Sequence, residues 1–240
     1  MTLRFLHTND FHGKLDEEVA AKLTPLRDEA DFYFDSGDAI KAGNLAIPLN
    51  ADPVWGAFAS LRCTASVLGN RETHPLRSAF EKKIEGHTHP VLAGNMGFKG
   101  GKEVLPRTLR LEKDGFKIGV ISTMVAMATD KMKTSGAWFC RWTNPIETAI
   151  KLAQEVRPHV DLLIALTHIG YSQDRLLAEQ CGDIDIIFGG HSHTVLEHPE
   201  KINHTWIVQG GSHARFAGVY TYEEEILSGG LVPLAVKPST

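Results

Sequence analysis

Asp10 and His12, Asp38, Asn70, His168, and then His191 and His193 occur in that order along the chain, each where a short apolar run ends. Carboxylate oxygen, amide oxygen and imidazole nitrogen together suit Mn, Fe, Co, Ni or Zn better than Ca²⁺, which prefers all-oxygen shells. These seven side chains overfill a single tetrahedral or octahedral shell. Two shells that share Asp38 leave positions open for water and substrate. Two divalent ions are offset only by Asp10 and Asp38, so the surplus positive charge would attract an anion such as phosphate.

The pieces differ in weight. Gly37-Asp38 and Gly69-Asn70 are common turn pairs. Gly189-Gly190-His191-Ser192-His193 is more specific, because it follows the apolar run Ile184 to Phe188 and two histidines there are costly without partners. In an extended segment residues i and i+2 point to one side, so Asp10 and His12 are expected to face one ion, and so are His191 and His193. Gly37, Gly69 and Gly190 let the backbone turn without a Cβ in the way.

Short apolar runs alternate with amphipathic stretches. Strands are expected at 3–8, 31–35, 64–68, 91–93, 161–166, 184–188, 205–208 and 219–224, and a hairpin at 107–122 around Asp114-Gly115. Helices are expected at 17–29, with Val19, Ala20, Leu23 and Leu26 on one face, at 53–62 behind Asp52, at 143–156 behind Thr143 or Asn144, and at 173–180. Strands outnumber helices, which favours two mixed sheets packed face to face with helices outside. The seven side chains then stand at strand ends, where α/β folds place ligands.

Leu6 to Gly13, Asp35 to Asp38, Leu68 to Asn70, Leu166 to Gly170 and Ile187 to Thr194 resemble the signature blocks of calcineurin-like metallophosphoesterases, and more narrowly the amino-terminal catalytic domain of the 5'-nucleotidase group. Val208 to His213 resembles the block that follows. The resemblance implies an α/β (α+β) fold, a four-layer αββα sandwich of two mixed sheets flanked by helices. It also implies a binuclear centre, with Asp10, His12, Asp38 and His193 on one ion and Asp38, Asn70, His168 and His191 on the other. The two ions are expected to be divalent transition metals, Mn foremost. The expected function is hydrolysis of small-molecule phosphate esters, phosphodiesters or activated monoesters and among them nucleotides, by water that the ions activate.

The chain departs from this family after Asn70. The family pattern Gly-Asn-His-Glu carries a histidine that acts on the leaving group and an Asp soon after that orients it. Here those positions hold Arg71 and His74. Arginine cannot be a general acid, but it can bind a phosphate oxygen and stabilise charge in the transition state. Arg71, His74 and Asn70 are therefore the candidate catalytic residues. Arg71 is a phosphate contact or an outward salt bridge; His74 restores the acid from a new direction or belongs to a surface loop. The rival reading is a metal-bearing binding or regulatory protein whose turnover was weakened by Arg71.

Residues 1–240 are expected to form one catalytic domain, with 228–240 an edge strand or a loose tail and no carboxyl-terminal nucleotide-binding domain. A formal net charge of -4 argues against a nucleic-acid surface or a polybasic membrane contact. No signal-peptide pattern opens the chain, and a cytoplasmic protein is expected. Cys63, Cys140 and Cys181 read as buried free thiols. His87 and His89 read as a solvated loop, His7 as a core histidine, Asp161 and Asp185 as caps or turns, and Trp138 and Trp142 as core packing ahead of a substrate edge.

Overall fold

Successive residues of a strand point to opposite faces of its sheet, and in the inner strands of this protein both faces are apolar. The computed structural model describes residues 1–99, 103–129 and 131–234. In chain order the strands are β1 (Thr2–Thr8), β2 (Phe32–Asp35), β3 (Ala65–Val67), β4 (Val91–Leu92), β5 (Met96–Phe98), β6 (Thr108–Lys113) and β7 (Phe116–Met124). They continue as β8 (Cys140–Trp142), β9 (Leu162–His168), β10 (Ile186–Phe188), β11 (Glu200–Ile202), β12 (Thr205–Val208), β13 (Phe216–Glu223) and β14 (Ile226–Pro233). The helices are α1 (Glu17–Glu29), α2 (Val54–Ser60), α3 (Arg77–Lys83), α4 (Pro145–Val156) and α5 (Tyr171–Gln180).

One sheet runs β14-β13-β1-β2-β3-β4 and the other β11-β12-β10-β9-β7-β6. In the first, β1, β2, β3 and β4 are parallel up to the β4 edge, and β13 and β14 join on the other side by antiparallel pairing; in the second, β7, β9, β10 and β12 are parallel between the antiparallel edge strands β6 and β11. The inner faces meet in a core that includes Phe5, Phe34, Val67, Ile164, Ile186 and Phe188. Burying each such side chain contributes about 2 kcal/mol. The outer face of the first sheet packs Leu6 and Tyr33 against Leu23, Trp55, Phe58 and Phe80 of α1, α2 and α3. That of the second packs Ala165 and Ile187 against Leu152, Ala153 and Leu177 of α4 and α5. The expected four-layer αββα sandwich is therefore present.

Local signals act as expected at α4 and at the β6-β7 hairpin. Asn144 caps α4 by accepting from the amides of Ile146 and Glu147, and Asp114 and Gly115 turn the β6-β7 hairpin with φ of 51° and 82°. At α2 the N-cap position falls on Pro53 and not on Asp52 as expected, although Asp52 Oδ1 accepts from the amide of Val54 at 3.1 Å. Helix α3 is the charged helix expected before His87; Arg-Ser-Ala-Phe-Glu-Lys-Lys shows no full apolar stripe and buries only Ala79, Phe80 and Lys83. The residues from 228 onward divide: 228–233 belong to edge strand β14, and 235–240 lie outside the described residues. His89 corrects the solvated-loop expectation. It is buried with Nε2 2.9 Å from Ser66 Oγ and its ring 5.2 Å from that of Phe58, and burial lowers its pKa to about 4. Among the described residues, no helix is long and apolar enough to cross a membrane.

Candidate metal centre

Parallel strands β1, β2, β3, β9, β10 and β12 all deliver their carboxyl ends to the same edge of the sandwich, and the loops that follow are tied to one another. The amide of Asp10 donates to Gly37 O at 2.9 Å, that of His12 to Asp38 O at 2.9 Å, and that of His213 to Asp10 O at 2.8 Å. Asp10, His12, Asp38, His191 and His193 have φ of 53°, 52°, 55°, 79° and 55°. A non-glycine residue in this left-handed region costs about 1 to 2 kcal/mol, and such strain concentrates at functional sites. This corrects the extended, same-side geometry expected of the two residue pairs: tight turns, not strands, aim these side chains.

The seven side chains come together in two groups. In the first, Nε2 of His12 and Nε2 of His193 lie 2.8 Å apart, and Asp10 Oδ1 lies 3.4 Å from His193 Nε2 and 3.7 Å from His12 Nε2. In the second, Asn70 Oδ1 lies 3.1 Å from His168 Nε2 and 2.9 Å from His191 Nδ1. Asp38 stands between them, with Oδ1 3.4 Å from His168 Nε2 and Oδ2 4.0 Å from His12 Nδ1. Asp10 Oδ1 and His12 Nδ1 are buried without a hydrogen-bond partner. An unpaired buried carboxylate oxygen is costly, and a cation among these ligand atoms would satisfy it. The residues fit a metal.

Glycine makes the close packing possible. A Cβ on Gly69 would lie 2.2 Å from the Asp38 amide nitrogen and 2.4 Å from Asp38 Oδ1, and one on Gly190 would lie 2.6 Å from Ser36 O. Surrounding groups orient the ligand atoms, as outer partners do in metal sites. His168 Nδ1 lies 2.6 Å from Ser36 O, which turns Nε2 to the centre. Asn9 donates from Nδ2 to Asp10 Oδ2 at 2.8 Å and to Gly211 O at 2.7 Å.

Electrostatics favour a cation here. Burial raises the Asp10 carboxyl, but His193, His168, Asn9 and the His191 amide outweigh it and hold its pKa below the ordinary value. Burial, helped by the Arg71 charge, takes His12 down to about 4, and burial also lowers His191. Both stay neutral with a lone pair to offer, the state a metal ligand needs. His168 and His193 are raised: burial opposes it at His168, where Asp38 and Asp10 prevail, and the Asp10 carboxylate 3.4 Å away leads at His193.

The residues after Asn70 separate. The Arg71 amide donates to Asp38 Oδ1 at 2.7 Å, its Nη1 donates to Lys41 O at 3.1 Å, and its Nε lies 3.9 Å from Asp38 Oδ2. Its guanidinium is therefore turned to the centre. Among the described residues, His74 makes no hydrogen bond to the centre. Its ring is buried, not on a surface loop, and Nδ1 accepts from the Leu76 amide at 3.0 Å within its own turn around Pro75.

Several supporting residues escaped the sequence reading. Buried Glu72 accepts from the amides of Asp38 at 3.0 Å, Ile40 at 3.1 Å and Gly69 at 2.9 Å, and burial with the nearby Asp38 charge raises its pKa to about 7. Gln209 accepts from the Thr194 amide at 2.6 Å and donates to Gly190 O at 3.0 Å, bracing the His191–His193 loop. Lys83 is fully buried on α3 and donates to the carbonyls of Gly43, Asn44, Arg71 and Thr73 at 2.6 to 2.9 Å. The available signals were a glutamate inside the Gly-Asn-x-Glu block and a glutamine ending an apolar strand. Other expectations hold: His7 is buried with Nε2 3.0 Å from Ser36 Oγ, Trp138 is core, and Asp161 and Asp185 accept from strand amides.

Residues 3–195 match the model of the calcineurin-like phosphoesterase family. The chain belongs to that family. Among curated relatives, the chain is 28% identical to an apyrase of Tabanus yao, over 91% of its own length and 47% of the relative's. It is 27% identical to a 5'-nucleotidase of Vibrio cholerae, over 98% of its own length and 52% of the relative's. It spans about half the length of these relatives. The NAD nucleotidase of Haemophilus influenzae matches its fold with a TM-score of 0.78 at 19% identity, over 97% of this chain and 50% of that one. The likeness to the 5'-nucleotidase group expected from the signature blocks is therefore found in curated relatives and in fold.

Proposed function

We propose that this protein hydrolyses small-molecule phosphate esters at a binuclear centre, with Asp10, His12, Asp38 and His193 holding one divalent ion and Asp38, Asn70, His168 and His191 the other. The observation that carries this reading is the position of Asp38, whose two oxygens face the two groups separately. Mn²⁺ is the foremost metal, with Fe, Zn, Co and Ni compatible with the mixed donor set. When bound, such ions supply Lewis acidity to phosphoryl oxygens and an activated water.

The residues of the chain do the rest. Arg71, braced by Lys41 O, holds a phosphoryl oxygen and steadies charge as the leaving group departs. It cannot hand a proton to that group. Loss of a general acid costs about 10²- to 10⁴-fold for a poor leaving group and less for a good one. Phosphodiesters and esters with good leaving groups are therefore preferred over simple nucleoside monophosphates. The named activities of the relatives make nucleotides and their derivatives the compounds to try first.

The test compares bis(4-nitrophenyl) phosphate with 5'-AMP in Mn²⁺. Faster turnover of the diester is expected; faster 5'-AMP hydrolysis would overturn the preference. A protein that binds the metals and hydrolyses neither would instead favour a binding or regulatory role.

A further inference from the structure

His213 is the histidine at this centre that the two shells leave unused. One ring nitrogen each from His12, His193 and His213 lie within 4.8 Å of one another. The His213 ring centroid is 4.7 Å from that of His12 and 5.8 Å from that of His193. Nitrogen ligands held about 2 Å from an ion stand about 3 to 4 Å apart, a range that falls inside the 4.8 Å bound.

Three features aim the ring. Its backbone amide is pinned to Asp10 O at 2.8 Å, so it moves with a residue of the same group. Its φ of 58° repeats the left-handed conformation of Asp10, His12 and His193. Its Nδ1 lies 2.9 Å from Oγ of buried Ser212, which leaves Nε2 as the nitrogen without that engagement. A ring nitrogen tied by an outer partner while the other is free is the usual arrangement of a metal-binding histidine.

We propose that His213 is a further ligand of the ion held by Asp10, His12 and His193. The inference rests on the binuclear reading above. It gives that shell three imidazoles against two in the other, where Asn70 contributes an amide oxygen. The nitrogen-rich shell would then favour Zn, Co or Fe over Mn relative to its neighbour, so the two ions need not be of one kind.

Co²⁺ titration of metal-free protein, followed by calorimetry and by visible absorption of the bound ion, tests this without any activity measurement. His213→Gly removes the ring and accepts a positive φ without strain. His213→Asn also tolerates that backbone and separates ligand loss from a loosened loop. Both are expected to weaken one of two sites by 10-fold or more and to change its absorption, while leaving the other site unchanged. His168→Ala should weaken the other site. Wild-type affinities and spectra in both His213 variants, or an effect confined to the glycine variant, would overturn the assignment of His213. Wild-type protein that takes up fewer than two ions would overturn the binuclear reading instead.

Discussion

The Lys83 ammonium donates to the carbonyl oxygen of Arg71 at 2.6 Å. The same ammonium also holds Thr73 O on that loop and Gly43 O and Asn44 O on the loop opposite. One buried cation thus clamps the two segments that carry Arg71 and the Asn44 partner of Asn70. Burial lowers its pKa to about 8, and the nearby Glu72 and Asp38 charges oppose the shift. Lys83→Met leaves these carbonyls buried without a donor, at about 1 to 3 kcal/mol for each that water cannot reach. Urea unfolding should show a loss of roughly 3 kcal/mol or more, with a raised KM from a displaced Arg71. Wild-type stability would mean that the loops hold themselves.

Asn70 shows how a weak sequence signal becomes specific through its partner. Its Nδ2 donates to Asn44 Oδ1 at 3.0 Å, which turns its Oδ1 to His168 and His191. Asn44→Ala removes that constraint on the amide. Metal titration should show about 10-fold weaker binding at one site, and no change would show that the histidines alone orient Asn70.

Arg71 and His74 are separated by activity on two substrates. Arg71→Ala should slow bis(4-nitrophenyl) phosphate hydrolysis by about 10²-fold. Arg71→His places an acid where the family carries one and should raise 5'-AMP hydrolysis by 10-fold or more. His74→Ala should change either rate by less than about threefold if folding is intact, because its ring serves the Leu76 amide. Steady-state kinetics on the three variants decides the matter; a large loss in His74→Ala would return it to the chemistry.

Asp174 sets a pH dependence of stability. It is fully buried, Thr167 Oγ1 donates to its Oδ1 at 2.6 Å, and its Oδ2 has no partner. Burial raises its carboxyl to about 7. The folded state therefore holds this proton more tightly than the unfolded chain, so the contribution is full below the unfolded value and is lost as pH rises towards about 7. Asp174→Asn never ionises, and its advantage over wild type should grow with pH to at most about 4 kcal/mol. Thermal melts of metal-free protein at about pH 5 and pH 8 check this; an advantage that shrinks with pH would contradict it.

The seven central residues were legible because their donor types are uncommon together and each ends an apolar run. The layers were legible from the excess of strands over helices and from the signature blocks, and the unbroken apolar run Leu162 to Leu166 feeds two cores. The left-handed turns at Asp10 and His193 were not, because an Asp-x-His or His-x-His triplet carries no local sign of φ. Nor were Glu72, Gln209 and Lys83: their types are common on surfaces, and only contacts made after folding bury them. The buried face of helix α3 was hidden for a related reason, since one of its buried positions is Lys83, which reads as polar.

Metal content per chain, measured by elemental analysis after loading and dialysis, is the most direct test of a centre that shares Asp38. Wild type should hold two ions and Asp38→Ala, lacking a ligand of both, should hold close to none, while His168→Ala keeps one. A wild type that holds one ion or fewer, or an Asp38→Ala variant that still holds both, would contradict the shared centre.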